Sequence, residues 1–176
     1  FGISNSDTPT TEEWNVAFGS INGYGSDDDG NDIKAPTEAI YKQYASLLLA
    51  PTEVTGGFII SSPGGSSAVA SGKDEEIFVL SARRSNMKDR LNKGTWEIAL
   101  SGSNTAGTGI SILHLKDDSS TTSPTATPVG DRYNIVSCST AGVIEGTGAA
   151  AKNYGFFYPD MGIMVFSATE LSASIP

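Results

Sequence analysis

The sequence predicts an α+β domain that consists mostly of antiparallel β-sheet, with about seven or eight short strands in a sandwich or barrel-like arrangement and one medium helix. Short segments rich in β-branched and aromatic residues recur along the chain, and several alternate between apolar and polar positions, which is typical of half-buried strands. Only residues 36–50 show helical periodicity. Many short strands with one helix and long polar loops are typical of this fold class.

Residues 36–50 carry helix signals at both ends. Pro36 suits the first helical position, where its missing N–H would have no partner, and Glu38 lies in the first turn near the positive end of the helix dipole. Pro51 cannot continue the helix. The apolar side chains recur at helical spacing and predict a stripe that faces the core: Ile40, Tyr44, Leu47 and Leu48.

The predicted strands share a short length and a high β propensity. They are residues 14–18, 58–61, 76–83, 95–101, 110–115, 133–136 and 143–144, followed by a hairpin over 154–166. Pro159 marks the turn of that hairpin. Residues 116–130 are mostly Ser, Thr, Asp and Pro, and they predict a solvated loop. Ser85 and Thr169 are expected to cap short helical turns.

Composition and charge exclude several classes of protein. The chain has 176 residues, which is enough for one domain of ordinary size to bury a core. Twenty acidic and 11 basic side chains give a net charge of −9, which disfavours binding along a nucleic-acid backbone. A single Cys and a single His exclude an intrachain disulfide framework, a Cys-cluster zinc site and catalysis by two histidines. No apolar run approaches the ~20 residues that span a bilayer, and the start at Phe1 rather than Met indicates a processed or excised segment.

The sequence divides into two parts. Residues 1–35 are polar, acidic and rich in glycine, and they are expected to form an irregular arm or an edge hairpin. The alternation of Trp14, Val16 and Phe18 fits a short strand within this arm. Residues 36–176 are expected to form a single β-rich structural domain. So polar an arm is of the kind that becomes ordered on assembly.

The acidic run before the helix resembles part of a calcium-binding loop. Asp27, Asp29, Asn31 and Glu38 fall at positions one, three, five and twelve of an EF-hand-like loop, whose oxygen ligands suit calcium. Position six, which is glycine in an EF-hand, is Asp32 here. A solvated acidic loop that leads into the helix is therefore the interpretation that the pattern favours.

Candidate catalytic patterns are incomplete. Ser85 and Lys88 match the Ser-x-x-Lys pattern of serine acyl-enzymes, but the companion motifs are absent, and no Gly-x-Ser-x-Gly nucleophile accompanies His114. The acidic run that could supply an acid–base pair to a hydrolase is equally typical of a charged surface: Asp74, Glu75 and Glu76. Cys138 is expected to be a small buried hydrophobe. We therefore expect a protein that is not an enzyme and has no cofactor.

Two clusters could serve recognition. The first combines five basic side chains within eleven positions, and these are our interface candidates: Arg83, Arg84, Lys88, Arg90 and Lys93. Set against an acidic arm, they allow head-to-tail docking with copies or partners, and a solvated basic face is the alternative. The second cluster is aromatic: Tyr154, Phe156, Phe157 and Tyr158. We expect it to pack in the hairpin core, with a platform that stacks on sugars or bases as the alternative.

Several uncommon phrases occur together in a fixed order. They are Pro36-Thr-Glu-Ala-Ile-Tyr-Lys-Gln-Tyr44, Ile77-Phe-Val-Leu-Ser-Ala-Arg-Arg84, Met87-Lys-Asp-Arg-Leu91, Gly94-Thr-Trp-Glu97 and Tyr154-Gly-Phe-Phe-Tyr-Pro-Asp-Met-Gly-Ile-Met-Val165. With these phrases the chain resembles a module of large virion structural proteins of marine T-even-like myoviruses. The resemblance runs from about Ile33 to Leu171.

The resemblance implies a non-enzymatic part of the virion, tail or baseplate associated, that is made in the host cytoplasm and carried in the particle. Its implied partners are other virion proteins and copies of itself, without nucleic acid, and it implies no catalytic residue. The alternative is a receptor- or glycan-binding adhesin domain of a phage tail fibre. Such a domain would use residues 116–130 and the rings of Tyr154 and Tyr158.

Overall fold

The structure, a computed structural model, describes residues 2–4, 12–25, 35–53, 57–60, 72–103, 110–145 and 152–172. These residues form a curled half-barrel sheet of antiparallel strands with one medium and one short helix, which confirms the predicted β-dominated α+β class. The strands are β1 (Gly2–Ser4), β2 (Glu12–Ser20), β3 (Glu76–Ala82), β4 (Ile98–Ser103), β5 (Ile110–Asp117), β6 (Thr125–Thr127), β7 (Gly130–Cys138), β8 (Asn153–Tyr158) and β9 (Ile163–Ser167). The helices are α1 (Pro36–Leu48) and α2 (Ala168–Ser172).

The strands follow one another in the sheet in the order β1-β2-β3-β9-β8-β7-β5-β4, and β6 pairs with β7 outside this path. Of the two expectations for residues 1–35, the described part has the edge hairpin. β1 pairs with β2, and β2 pairs with β3 from Trp14 to Ser20. The predicted boundary at residue 35 therefore lies between strands of the same sheet.

Both faces of the central strands are buried. Helix α1 and residues 57–60 cover one face, here named the outer face, where the largest buried side chains include Tyr41, Leu48, Phe58, Ile77 and Tyr158. The opposite, inner face has a mainly aromatic core that includes Tyr133, Tyr154, Phe157, Met164 and Phe166. Because β8 and β9 lie between these cores, they are buried at every position. This double burial explains why the final hairpin carries apolar residues on both faces and does not alternate, with polar residues only at the strand ends, Asn153 and Ser167.

Helix α1 begins at Pro36, as the sequence predicts, and ends at Leu48, two residues before the predicted end. The stripe that packs deepest differs from the predicted one. Tyr41, Ala45 and Leu48 are buried, whereas Leu47 is 40% exposed. The helix backbone lies against Gly19 of β2, where an added Cβ would stand 3.0 Å from the Tyr41 Cα atom. Among the described residues, no helix is long and apolar enough to cross a membrane.

The predicted strand at 58–61 is wrong for its described part. Residues 57–60 form no strand, because their main-chain groups bind side chains and a neighbouring turn. The Phe58 N–H donates to the Tyr41 hydroxyl at 3.0 Å, and the Ile60 N–H donates to the Asp74 carboxylate at 2.7 Å. The segment is therefore a buried cover for the outer core.

The predicted solvated loop at 116–130 is wrong at both ends. Asp117 and Asp118 are buried, and Asp118 accepts hydrogen bonds from the main chain and side chain of Asn134, at 3.0 and 2.7 Å. Strand β6 then pairs with β7. The expected caps differ as well, since Ser167 rather than Thr169 accepts the N–H of Glu170 at the start of α2. The Ser85 hydroxyl bonds the Asn86 side chain and caps nothing.

Candidate functional site

The five interface candidates lie on the connection from β3 to β4, here named the basic segment (residues 83–93). This segment passes along one end of the half-barrel. The Arg83 N–H donates to the Glu13 carbonyl at 2.9 Å, and the Leu91 N–H donates to the Pro159 carbonyl at 3.0 Å. The segment is thus fixed to the start of β2 on one side and to the β8–β9 turn on the other.

All five basic side chains of the segment belong to exposed residues: Arg83, Arg84, Lys88, Arg90 and Lys93. Lys93 packs more closely than the others, because its ammonium group donates to the Tyr133 hydroxyl at 2.7 Å and lies 5.0 Å from the centre of that ring. The Arg84 guanidinium donates at 3.4 Å to the main-chain carbonyls of Asp89 and Asp160. Within the described part of the chain, none of the five forms a salt bridge. Their positive charge is therefore available to a partner.

An apolar cavity of 230 Å³ lies on the inner face. Its lining includes Val16 of β2, Phe78 and Leu80 of β3, and Ile98 and Leu100 of β4. Strands β2 and β4 stand at positions two and eight of the strand order, yet their side chains border one space. The curl of the sheet therefore brings β2 and β4 around a common apolar interior.

Strand β4 forms one edge of the sheet. It pairs with β5 over six consecutive residues, from Ile98 to Ser103, and no other described strand lies beside it. Natural edge strands are commonly protected by Pro, by charged side chains or by a bulge. β4 reads Ile-Ala-Leu-Ser-Gly-Ser and has none of these three. Its outer main-chain groups are therefore suited to pairing with another strand.

The predicted calcium ligands fall mainly outside the structural description. Asp27, Asp29 and Asn31 lie outside the described residues. Glu38 lies in the first turn of α1 and forms an ion pair with Lys42. In the described ranges, no group of three or more His, Cys, Asp or Glu side chains could hold a metal ion.

The acidic run at 74–76 does not converge on one site. Asp74 is buried, and burial raises the pKa of its carboxyl group above the usual value, although hydrogen bonds from Ser167 and Ile60 oppose the shift. Glu75 is exposed and accepts a hydrogen bond from Asn22 at 3.3 Å. Glu76 belongs to β3 and is partly buried.

A second buried carboxylate, which the sequence reasoning missed, acts on Asp74. Glu170 of α2 is 2% exposed, lies 3.1 Å from the Lys152 ammonium group and contributes to the raised pKa of Asp74. No local signal could find it, because Asp74 and Glu170 are almost a hundred residues apart in sequence. Their proximity follows from the pairing of β3 with β9, which brings Ile77 opposite Ser167.

The aromatic cluster is part of the core, as we expected. The exposed fraction of all four residues is 5% or less: Tyr154, Phe156, Phe157 and Tyr158. Rings buried to this extent do not offer a face for stacking on a sugar or base.

Cys138 is also buried, as predicted, and it pairs in register with His114 of β5. The His114 Nδ1 atom in turn contacts the Glu97 carboxylate. Burial raises the pKa of the Cys138 thiol, with the Glu97 charge as a further cause. The thiol is therefore protonated at neutral pH, unlike the thiolate that a cysteine nucleophile requires.

Comparison with protein-family models, with curated proteins and with solved structures finds no match to this chain.

Proposed function

We propose that this chain is a non-enzymatic structural module of a phage virion, associated with the tail or baseplate, which contacts neighbouring subunits through the basic segment. The observation that supports this most directly is the set of exposed basic side chains that form no salt bridge within the described residues. They occur on a chain whose net charge is −9. A positive surface on an acidic protein attracts acidic partners, including other copies of the same protein.

The resemblance to virion structural proteins also supports the basic segment as the contact surface. Three of the phrases that carry it cover the end of β3, the basic segment and the approach to β4: Ile77–Arg84, Met87–Leu91 and Gly94–Glu97. Exposed charges of this kind contribute mainly to the orientation and rate of association, because a single surface ion pair stabilises a complex by only about 0.2–1 kcal/mol. In an assembly of many copies, the stabilisation from many such contacts adds up.

Mass spectrometry of purified particles tests the proposal, with tails separated from heads before digestion. The tryptic peptide Gly94–Lys116 is a suitable reporter, because it follows Lys93 and contains no internal Lys or Arg. We expect this peptide in the tail fraction at a fixed ratio to other tail proteins. Its absence from every particle fraction, while it is found in infected cells, would contradict the proposal.

A further inference from the structure

We propose that this chain binds a free α-amino acid with an apolar side chain, in a cleft between the residues that follow α1 and the strands β7 and β8. The ligand's carboxylate binds Arg132, its ammonium group binds Glu53, and its side chain packs against the apolar wall of the cleft. The inference does not depend on the proposed virion function, because each observation that supports it concerns the cleft itself.

The cleft has a volume of 250 Å³ and lies on the outer face. The residues that follow α1 contribute Leu49, Glu53 and Ile59 to its lining, and the sheet contributes Arg132 of β7 and Phe156 of β8. A cavity of about 150 Å³ can hold a benzene molecule, so the cleft has room for a ligand of the size of one amino acid. Drug-sized ligands occupy larger pockets, of about 300 Å³ or more.

Two opposite charges stand at the cleft in a loose ion pair. The Arg132 Nη1 atom lies 3.3 and 3.5 Å from the two carboxylate oxygens of Glu53. Charge-assisted hydrogen bonds are usually shorter, at about 2.7–2.9 Å. A guanidinium carries several N–H donors in a planar fork, but a single nitrogen atom makes both contacts with Glu53. Arg132 therefore keeps N–H groups that a second carboxylate can occupy.

A buried hydroxyl group beside Arg132 lacks a partner. Tyr158 is fully buried, and its oxygen makes no hydrogen bond with any described residue. The register of β7 with β8 sets Tyr133 opposite Phe157, so its continuation sets Arg132 opposite Tyr158. Burial raises the pKa of Tyr158 to about 12, although the charge of Arg132 opposes this shift. The hydroxyl is thus protonated at neutral pH, and a carboxylate bound at Arg132 is the kind of acceptor that it lacks.

The apolar wall of the cleft suits a hydrocarbon side chain. Leu49 and Phe156 are buried, whereas Ile59 is 53% exposed. A ligand side chain that covers Ile59 removes apolar surface from water, which favours binding. The Arg132 guanidinium lies 4.3 Å from the centre of the Phe156 ring, a cation–π contact that holds the charge beside this wall.

A ligand with both charges suits this cleft better than a ligand with only one. Glu53 would repel the carboxylate of a simple acid, and Arg132 would repel the ammonium group of a simple amine. An α-amino acid meets both side chains with the opposite charge, while Glu53 keeps its hydrogen bond from the Ala50 N–H at 3.2 Å. The terminal residue of a polypeptide has only one of the two groups, so the pair also favours a free amino acid over a chain end.

Titration of the full chain with L-leucine, followed by NMR, tests the inference. Three control ligands each lack one feature: N-acetyl-L-leucine lacks the ammonium group, L-leucinamide lacks the carboxylate, and glycine lacks the side chain. We expect leucine to bind at least about tenfold tighter than each control, because each of these contacts contributes about a factor of ten or more. The amide signals that shift are expected to centre on Leu49, Ile59 and Arg132.

The same titration can overturn the proposal in three ways. If N-acetyl-leucine binds as tightly as leucine, the cleft recognises a carboxylate alone, as in the last residue of a polypeptide. If leucinamide binds as tightly, the cleft recognises an amine alone. If leucine does not bind at any concentration up to its solubility, the cleft is not a site for amino acids.

Neutral variants of the two charged residues separate recognition from folding. Glu53→Gln keeps an oxygen for the Ala50 N–H, and we expect it to weaken leucine binding about tenfold without weakening the binding of N-acetyl-leucine. Arg132→Gln is expected to weaken both of these ligands but not leucinamide. Glu97→Gln is the matched control, because the Glu97 side chain is 38% exposed, against 39% for Glu53, and lies outside the cleft.

The control variant is expected to bind leucine with the affinity of the wild type. If circular dichroism shows that Arg132→Gln does not fold, Glu53→Gln provides the milder test, since it changes the more exposed partner of the pair. A folded Glu53→Gln protein that keeps the wild-type preference for leucine over N-acetyl-leucine would refute the site.

Discussion

The hydroxyl group of Tyr41 joins helix α1 to the residues before β3, because it donates a hydrogen bond of 2.6 Å to the main-chain carbonyl of Asp74. The same oxygen accepts the N–H of Phe58 at 3.0 Å. Burial raises the pKa of Tyr41 to about 12, partly opposed by the bond from Phe58. The hydroxyl therefore stays protonated and able to donate at any ordinary pH.

Replacement of this hydroxyl is expected to destabilise the fold. Tyr41→Phe leaves the ring in place but removes the partner of a buried N–H and a buried carbonyl, for a loss of about 2–3 kcal/mol in the free energy of unfolding. Tyr44→Phe on the same helix is the matched control, because Tyr44 is only partly buried. Urea denaturation measures both variants. A loss below about 0.5 kcal/mol for Tyr41→Phe would show that the hydroxyl does not hold the helix to the sheet.

The carboxyl group of Asp74 makes the stability depend on pH. Burial raises its pKa above the usual 3.8, so the folded state binds the proton more tightly than the unfolded state. The contribution of this carboxyl group to the free energy of unfolding is therefore greatest near and below pH 4. It falls as the pH rises toward the raised pKa. Asp74→Asn removes this loss and keeps an oxygen that can accept the Ile60 N–H.

Urea unfolding between pH 4 and pH 8 tests the role of Asp74. We expect the free energy of unfolding of Asp74→Asn, relative to wild type, to increase as the pH rises through this range. Glu75→Gln neutralises the adjacent carboxylate, which is exposed, and is expected to follow the wild type. If the free energies of unfolding of Asp74→Asn and wild type changed in parallel with pH, the raised pKa of Asp74 would be contradicted.

Local signals in the sequence predicted the parts of the fold whose stabilising contacts are near in sequence. Pro36 and Glu38 define the start of α1, and the hairpin of β8 and β9 forms around Pro159. The strand order could not be predicted in this way, because β9 is the last strand along the chain but lies between β3 and β8 in the sheet. The common cavity between β2 and β4 is a consequence of that order and of the curl.

Buried polar residues with a structural role show a second limit of prediction from the sequence. Asp117 opens a stretch of Ser, Thr, Asp and Pro that is typical of a solvated loop. Its carboxylate nevertheless accepts the N–H of Gly94, 23 residues away, and that of Ser119. A buried acidic residue is stable when its oxygens are satisfied in this way, and no pattern in the sequence reveals the distant donor. The basic segment was recognisable from composition, but its place at the end of the half-barrel was not.

Charge reversal in the basic segment tests the interface candidates. Arg83→Glu combined with Arg90→Glu changes two exposed side chains, so the free energy of unfolding should stay within about 0.5 kcal/mol of wild type. If the segment binds an acidic neighbour, we expect the copy number in purified particles to fall about tenfold, which corresponds to about 1.4 kcal/mol.

A matched variant controls for total charge in that experiment. Lys42→Glu with Lys73→Glu makes the same change in net charge at positions outside the basic segment, on α1 and before β3. We expect its incorporation to match the wild type. Equal losses in the two variants would show that net charge, and not this surface, controls assembly.

The close approach of β8 to β9 at Gly155 requires a residue without a side chain. A Cβ atom at this position would stand 2.2 Å from the main-chain oxygen of Val165 and 3.1 Å from the Phe166 Cα atom, so the strands would have to separate. Gly155→Ala is therefore expected to lower the free energy of unfolding by about 3 kcal/mol, at the upper end for overpacked sites. Gly72→Ala adds the same methyl group in open space and meets only the strain of a positive φ, about 1–2 kcal/mol. Urea denaturation with unchanged m-values compares the two, and a loss at Gly155 no greater than at Gly72 would mean that the sheet can open there without cost.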